Sequence, residues 1–245
     1  MSRVDELDPL PYADSWPSLR SATGRVDIHS LAAFWVRESG LVGDYYEFGV
    51  ASGRSAIAAI RASRLYGWPS PRRFHLFDSF RGLPELTGPD AGSSQFQKGA
   101  YAYGQSAVVE QLTARGVYDE DRVLLYPGWY EQTLQPELQH ALRDSPAVIC
   151  HIDCDLYEST RPVLAFLTPL LQEGTLLLFD DWFCFRASPE KGERRATSEW
   201  LSNGAHEWTL ERYAEYGWHG AAFVVTPVPT RDLREVNRAG AFGVR

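Results

Sequence analysis

The segment Ala147-Val148-Ile149-Cys150-His151-Ile152 is apolar apart from one histidine, and it ends directly on Asp153-Cys154-Asp155. A second apolar segment, Thr175-Leu176-Leu177-Leu178-Phe179, ends in the same way on Asp180-Asp181. Short apolar runs of this kind are typical of buried parallel strands. Carboxylates at the carboxyl ends of such strands lie at the rim of an α/β sheet, where ligands bind. The two acidic clusters therefore predict neighbouring strands that share one hard cation.

Other strand candidates alternate with helical segments along the chain. This alternation predicts βα units and a parallel sheet. Two segments on either side of a turn at Gly217 predict an antiparallel hairpin near the C-terminus. We therefore expect an α/β fold with a mostly parallel sheet of seven strands and an antiparallel C-terminal hairpin. The predicted strands are 44–50, 73–78, 122–126, 147–152, 175–179, 207–212 and 221–225, and the predicted helices are about 27–38, 55–65, 106–115, 159–171 and 192–201.

The size of the chain is sufficient for one substantial core, because it has 245 residues of which 44% are hydrophobic. We expect one domain over residues 26–245, preceded by an irregular arm or lid over residues 1–25, where prolines are frequent. No window approaches the length of an apolar membrane span, and the first residues lack the pattern of a secretory signal. These features predict a cytoplasmic protein.

Charge and cysteine content narrow the classes of partner. The formal net charge is −8 and no basic run occurs, which disfavours a nucleic-acid partner and favours a small molecule. Cys150, Cys154 and Cys184 lack the spacing of a zinc site and give no disulfide framework, so we interpret them as small buried hydrophobic residues.

The first predicted strand runs into a glycine-rich turn with the pattern ExGxxxGxS, from Glu47 through Gly49 and Gly53 to Ser55. Glycines at such a turn let the backbone approach a ligand, and the acidic residue can accept hydrogen bonds from an ammonium or a hydroxyl group. The pattern departs from GxGxxG, so a dinucleotide is a poor fit. A turn that serves only helix packing is the alternative interpretation.

Polar and aromatic residues end the next two predicted strands. Asp78, followed by Ser79, stands where nucleoside-binding folds place a carboxylate for ribose hydroxyls, although a helix-capping or turn aspartate is the alternative. Gly128 and Trp129 follow the third strand, where the indole could stack on a purine or belong to the core. We regard all four residues as candidate contacts of a nucleoside-containing ligand.

Five sequence motifs, taken in their order along the chain, resemble those of the macrocin-type (TylF-like) family of metal-dependent sugar O-methyltransferases. The resemblance runs from about residue 24 to the final hairpin, and its specific part is IDxDLYxST followed by an aspartate pair. It implies a Rossmann-like class I methyltransferase fold, the methyl donor S-adenosylmethionine, and a homo-oligomer. The motifs are ExGxxxGxS (47–55), FDSFRGLPE (77–85), GWYEQTL (128–134), IDCDLYEST (152–160) and LLLFDDW (176–182).

The resemblance also implies roles for individual residues. Magnesium would be bound by Asp153, Asp180 and Asp181. The donor would be held by Glu47, Asp78 and the turn of Gly49 and Gly53, with Trp129 near the adenine. Within the same motifs, Ser55, Ser79, Gly128 and Asp153 complete the set of candidate cofactor contacts.

Physical chemistry favours the same site. A sugar or phenol hydroxyl is a poor nucleophile until it loses its proton, and a coordinated cation promotes that loss. Carboxylate oxygens are the ligands that magnesium prefers. Asp153 is also a candidate general base, whereas His151 is interpreted as a packed histidine. Asp155 remains an alternative to Asp153 as the ligand, since residues two apart in a strand face the same way.

The predicted function is therefore methyl transfer from S-adenosylmethionine to a hydroxyl of a small molecule, a sugar of a glycosylated natural product or a phenol. The alternatives are a catalytically silent S-adenosylmethionine-binding module and a nucleotide-sugar or dinucleotide enzyme; helix capping by the aspartates is the competing structural explanation. Candidate acceptor contacts are Tyr12, Trp16, residues 86–103 and the aromatic segment 182–186.

Overall fold

Short apolar strands, most of them followed by helices, make up the fold. The computed structural model describes residues 27–68, 72–203 and 207–228. Within these residues the strands are β1 (Asp44–Phe48), β2 (Phe74–Asp78), β3 (Val123–Pro127), β4 (Ala147–Ile152), β5 (Leu176–Phe179), β6 (Trp208–Tyr216) and β7 (Gly220–Pro227). The α-helices are α1 (Ile28–Glu38), α2 (Arg54–Leu65), α3 (Gln105–Ala114), α4 (Tyr130–Thr133), α5 (Pro136–Ala141), α6 (Tyr157–Leu167) and α7 (Gly192–Ser202).

The strands form one seven-stranded sheet in the order β3-β2-β1-β4-β5-β7-β6. Strands β1 to β5 pair in parallel, and β7 runs antiparallel to both β5 and β6. The predicted fold class is confirmed, including the antiparallel hairpin at the edge. Strands β2 and β3 follow β1 on one side of it, whereas β4 and β5 lie on its other side, so the strand order changes direction between β1 and β4. The turns after these two strands therefore border the crevice where α/β folds bind ligands.

Both faces of the sheet are covered, and this explains the apolar runs of the central strands. In β5 the side chains of Leu176 and Leu178 pack into one core with α1 and α2, while those of Leu177 and Phe179 pack into a second core with α6 and α7. Successive strand residues point to opposite faces, so one uninterrupted apolar run supplies both cores.

The predicted helices and parallel strands agree with the structure to within about two residues, except at the end of α6. That helix begins at Tyr157 rather than at residue 159 and ends at Leu167, followed by the 3₁₀ turn Thr168–Leu170. Pro169 lacks a backbone N–H, which explains the early end. Helices α4 and α5 were not predicted, because four and six residues are too few to show a helical period. Both hairpin strands extend beyond the predicted segments.

The predicted arm of residues 1–25 lies outside the described residues, as do the candidate acceptor contacts Tyr12 and Trp16. None of the helices that the structure describes combines the length and apolar character needed to cross a membrane.

Candidate active site

A cavity of about 730 Å³ opens at the carboxyl ends of the parallel strands. One part of its wall comes from the turns that follow β1, β2 and β3, and another from the segments that follow β4 and β5. The first part includes Gly49, Ala51, Asp78, Ser79, Gly128 and Trp129, and the second includes Asp153, Asp155, Asp180, Asp181, Phe183 and Arg186. The loop of residues 82–104 and the β6–β7 turn complete the wall through Phe96, Tyr101, Trp218 and His219.

Gly49 joins the two parts of the wall. Its φ angle is +90°, and a Cβ built on it would lie 1.9 Å from the carbonyl oxygen of Asp153. The backbone N–H of Asp153 donates to the carbonyl of Phe48 at 2.9 Å, which holds the ends of β1 and β4 side by side. Glycine is therefore required here so that the first acidic cluster can lie against the glycine-rich turn.

Asp78 fixes the conformation of the glycine-rich turn. Its Oδ2 accepts hydrogen bonds from the backbone N–H groups of Val50 and Ala51 at 2.7 and 2.9 Å, and its Oδ1 accepts from Phe80 at 2.6 Å. A carboxylate has about four acceptor sites, so one remains for a ligand hydroxyl. The backbone carbonyl of Asp78 also accepts from the N–H of Gly128, which places the third turn beside the second.

Glu47 lies behind the turn rather than on the cavity wall. It is fully buried, and its two carboxylate oxygens accept hydrogen bonds from the hydroxyl groups of Tyr45 and Ser55, both at 2.6 Å. Burial raises the pKa of Glu47 above its ordinary value, although the two hydroxyl donors oppose that shift. Glu47, Ser55 and Gly53 are absent from the residues that line the cavity, so their direct contact with a cofactor stays a prediction.

The two acidic clusters meet in space. One carboxylate oxygen from each of Asp153, Asp155 and Asp181 lies within 4.8 Å of the other two. Asp180, Asp181 and His219 form a second group with the same property, so Asp181 belongs to both. The sequence leaves Asp153 and Asp155 as alternative ligands, and the structure brings both of them to Asp181.

Burial and mutual repulsion dominate the electrostatics of this cluster. Burial, reinforced by the neighbouring aspartates, raises the pKa values of Asp153 and Asp155 well above the ordinary range. The same causes raise the pKa of Asp181 to about 6. Burial also opposes ionisation of Asp180, but His151 and His219 outweigh it and lower the pKa of that carboxyl. Several like charges in one buried place require a cation, a proton or both.

The donor set fits a hard divalent cation. The Oδ2 atom of Asp181 is buried and has no hydrogen-bond partner among the described residues, which is unusual for a carboxylate oxygen inside a protein. The surrounding ligand atoms are carboxylate oxygens, which magnesium prefers. The only nitrogen ligand in the two groups belongs to His219, whose Nδ1 contacts the carbonyl oxygen of Asp180.

Two histidines, His151 and His29, lie between Asp180 and the interior of the protein. His151 is buried, as predicted, with its Nε2 3.7 Å from Oδ1 of Asp180. The ring of His29 packs edge-on against His151, with 5.2 Å between the ring centroids. Burial, with the neighbouring His151, lowers the pKa of His29 to about 4. His29 is therefore neutral at neutral pH and contributes little positive charge beside Asp180.

Several residues of the site were missed from the sequence. Glu193, at the start of α7, is 1% exposed, and its Oε2 accepts from the backbone N–H of Asp181 at 3.0 Å. Its only sequence signal was that of an ordinary acidic residue in a first helical turn. Trp218 and His219 reach the cavity from the β6–β7 turn, and no local spacing connects them to the aspartates.

The fold, the glycine-rich turn and the aspartates at the strand ends define an α/β enzyme of the class I methyltransferase type. The family profile described as macrocin O-methyltransferase (TylF) matches residues 11–200. The chain therefore belongs to the macrocin O-methyltransferase family and is a methyltransferase.

Named relatives agree with this assignment. The chain is 32% identical over 186 residues, 72% of its length and 68% of the relative, to the 8-demethyl-8-(2,3-dimethoxy-alpha-L-rhamnosyl)-tetracenomycin-C 4'-O-methyltransferase of Streptomyces olivaceus. It is 31% identical over 145 residues to the demethyldecarbamoylnovobiocin O-methyltransferase of Streptomyces niveus, covering 57% of this chain and 53% of that protein.

Solved structures share the fold. The O-methyltransferase NovP superposes with a TM-score of 0.64 at 21% identity, over 82% of this chain and 78% of that one. The calicheamicin methyltransferase CalS11 has the same TM-score at 24% identity, over 81% and 78% of the two chains.

Proposed function

We propose that this methyltransferase transfers a methyl group from S-adenosylmethionine to a sugar hydroxyl of a glycosylated natural product, with magnesium bound at the acidic cluster. The observation that carries the proposal is the convergence of Asp153, Asp155 and Asp181 beside the Gly49 turn. Family membership supports the donor. The sugar acceptor is supported by the Streptomyces olivaceus relative, whose name specifies methylation of a rhamnosyl derivative of tetracenomycin C.

The part of the cavity wall formed by the turns after β1, β2 and β3 would hold the methyl donor. Asp78 offers its remaining acceptor site to a ribose hydroxyl, and Ser79, Gly128 and Trp129 lie beside it on the wall. The indole of Trp129 offers a flat apolar face for the adenine. When bound, S-adenosylmethionine would supply an electrophilic methyl group on a sulfonium centre.

The acidic cluster would hold the metal through Asp153, Asp180 and Asp181, with Asp155 as a further oxygen donor. When bound, Mg²⁺ would supply a positive charge that lowers the pKa of the acceptor hydroxyl. The Asp180 carboxylate is kept ionised by its histidine neighbours, so it is available as a ligand at neutral pH. Glu193 holds the backbone of Asp181 from behind and fixes the direction of the aspartate pair.

Asp153 is the candidate general base. It lies at the junction of the two parts of the wall, because its backbone packs on Gly49. Its side chain is on the cavity wall, and a carboxylate within reach of a metal-polarised hydroxyl can take the proton of that hydroxyl. As the acceptor oxygen bonds to the methyl carbon and the carbon–sulfur bond breaks, the hydroxyl proton would pass to Asp153.

The deciding experiment is a methylation assay of the purified protein with S-adenosylmethionine and a panel of rhamnosylated aromatic glycosides, a nucleoside-diphosphate rhamnose and simple catechols. We expect magnesium-dependent turnover of a glycoside that a chelator abolishes. The variant D181N should lose about 100-fold or more of this activity, since it removes a ligand shared by both groups. The exposed D121N is the matched control. Full activity with chelator present would overturn the metal role.

The acceptor panel, together with binding measurements for S-adenosylmethionine, magnesium and NAD, also separates the alternative functions. Turnover of catechols alone would replace the sugar acceptor with a phenol. Binding of S-adenosylmethionine with neither turnover nor magnesium binding would indicate a silent binding module, and tight NAD binding without S-adenosylmethionine binding would indicate a dinucleotide enzyme. A cytoplasmic location, self-association, the absence of a nucleic-acid partner and a single domain over residues 26–245 remain predictions.

A further inference from the structure

One buried aspartate in the long loop of residues 82–104 joins the loop to two other segments of the protein. Asp90, at the end of the 3₁₀ turn Gly88–Asp90, is only 1% exposed. Its Oδ2 accepts from the backbone N–H of Tyr157 at 2.6 Å, and its Oδ1 accepts from the backbone N–H of Gly192 at 3.0 Å. Each oxygen of a single carboxylate therefore binds a different segment of the chain.

Both partners are the first residues of helices that lack a cap of their own. Helix α6 begins at Tyr157 after Leu156, and helix α7 begins at Gly192 after Lys191, and neither preceding side chain caps its helix. The first N–H groups of a helix have no partner within the helix and favour an anion. Asp90 supplies this anion to both helices, from a loop distant from either in sequence.

Each capped helix leads directly to one half of the acidic cluster. Tyr157 comes two residues after Asp155, in the tight turn that follows β4. Gly192 precedes Glu193, which accepts the backbone N–H of Asp181. A Cβ on Gly192 would also lie 3.3 Å from the carbonyl oxygen of Asp155, so the start of α7 lies beside the turn that precedes α6.

We propose that Asp90 is a positioning residue that holds Asp155 and Asp181 at the distance needed to bind a divalent cation, and thereby couples the seating of the loop to the metal site. The inference rests on the proposed metal-dependent function and extends it to a residue outside the metal motifs. Two further contacts seat the same loop: Lys191 Nζ donates to the carbonyl of Pro89, and the backbone N–H of Phe185 donates to Gln95 Oε1, both at 2.6 Å.

The loop carries part of the cavity wall, including Gln95, Phe96 and Tyr101. If one carboxylate holds the loop and both halves of the metal site, metal binding and loop ordering must favour one another, because such coupling is reciprocal. An acceptor that contacts the loop would then meet a metal site that is already assembled.

The test measures metal affinity directly, by Mn²⁺ titration with electron paramagnetic resonance detection on the full chain. In D90N the side-chain amide has only one oxygen that can accept a hydrogen bond, and its NH₂ group would face the backbone N–H of the other helix start. One of the two helices therefore loses its hydrogen bond to residue 90. We expect the Kd for Mn²⁺ to rise by about 10-fold to 100-fold, as is usual for loss of a residue that orients a metal ligand. The affinity for S-adenosylmethionine should change less than about threefold.

The control is E85Q in the same loop, where Glu85 is an exposed residue paired with Lys98 and should leave the Kd for Mn²⁺ unchanged. A merely structural role would lower the melting temperature of D90N without changing its Kd for Mn²⁺, and this outcome overturns the inference. Recovery of the wild-type kcat by D90N at saturating Mg²⁺ supports it.

A measurement on the wild-type protein keeps the inference testable even if D90N does not fold. Mg²⁺ should slow amide hydrogen exchange at Tyr157 and Gly192 and in the turn of residues 88–93, beyond the ligands themselves. Slowing confined to residues 153–155 and 180–181 would overturn the coupling. A wild-type protein that binds no Mn²⁺ and methylates with chelator present would instead overturn the proposed metal role, and this inference with it.

Discussion

The backbone carbonyl of Asp153 occupies the space that a side chain at Gly49 would need. A Cβ on Gly49 would lie 1.9 Å from that oxygen, which is closer than real contacts permit. The glycine-rich turn and Asp153 are therefore held together by backbone contact, and not by side chains that could adapt to a substitution.

The first prediction follows from this contact. The variant G49A should be destabilised by about 3 kcal/mol or more, because the left-handed φ and a collision with backbone act together. The matched control is G40A, where φ is +65° but nothing lies within 4 Å of the added Cβ, so only a strain of about 1 kcal/mol applies. Urea unfolding measures both, and equal losses would show that the contact is unimportant.

A second prediction concerns stability and pH in the metal-free protein. The pKa of Asp181 rises from its ordinary 3.8 to about 6 on folding, so the folded state holds a proton that the unfolded state releases. The protonated Asp181 carboxyl therefore stabilises the folded state by about 3 kcal/mol below about pH 4, and this stabilisation is lost as the pH rises through 6.

Unfolding experiments between pH 5 and pH 7.5 check the direction. We expect the free energy of unfolding to fall with rising pH in the metal-free protein, and magnesium to weaken or reverse the trend, since it neutralises the ionised cluster. The variant D181N should flatten the pH profile. A metal-free protein that gains stability up to pH 7.5 would contradict the prediction.

Glu47 provides a third prediction, which separates support of the turn from contact with the donor. The variant E47A leaves a cavity and removes the acceptor of two hydroxyl groups, that of the buried Tyr45 and that of the partly buried Ser55. We therefore expect a loss of about 2–4 kcal/mol in stability together with weaker binding of S-adenosylmethionine. The variant E47Q keeps the shape, and the hydroxyl groups of Tyr45 and Ser55 can rotate to accept as well as donate.

Calorimetric titration and thermal unfolding of E47Q are therefore informative together. If the carboxylate contacts the donor, E47Q will bind S-adenosylmethionine at least about tenfold more weakly while unfolding near the wild-type temperature. Unchanged binding in E47Q would restrict Glu47 to supporting the turn.

The fourth prediction concerns acceptor recognition by Trp218. This side chain lies on the cavity wall, yet it is 65% exposed, which is unusual for a tryptophan. We expect W218A to raise the KM for a glycoside acceptor about tenfold by removing an apolar contact, with no change in S-adenosylmethionine affinity. V42A, at a residue that is 53% exposed and away from the cavity wall, is the control. An unchanged KM would exclude Trp218 from the acceptor site.

Much of the fold could be predicted from the sequence because each central strand is an apolar run that ends on a recognisable turn or charge. The run 175–179 predicted β5 and the position of Asp180 and Asp181, since burial on both faces leaves few other structures for five apolar residues. The hairpin was predicted from the two segments on either side of the Gly217 turn, whereas local patterns did not predict the order of the strands beyond the neighbouring β4 and β5.

The rest of the site depends on contacts that no local pattern records. Glu47 and Asp78 both belong to motifs at strand ends, yet one carboxylate faces inward to two hydroxyl groups and the other faces the cavity. That difference arises from which side chains pack beside them after folding. His219 likewise reaches Asp180, and Asp90 reaches the first residues of α6 and α7, through long-range packing, so their types and spacing alone gave no signal.

The β6–β7 hairpin has an evolutionary consequence. Its tip carries Trp218 and His219 to the cavity, while its strands join the sheet at the edge farthest from β3. A residue inserted at the tip would displace these two side chains and leave the register of the five parallel strands untouched. Sequence change in this turn is therefore constrained at His219, which contacts Asp180, and is less constrained at the exposed Trp218.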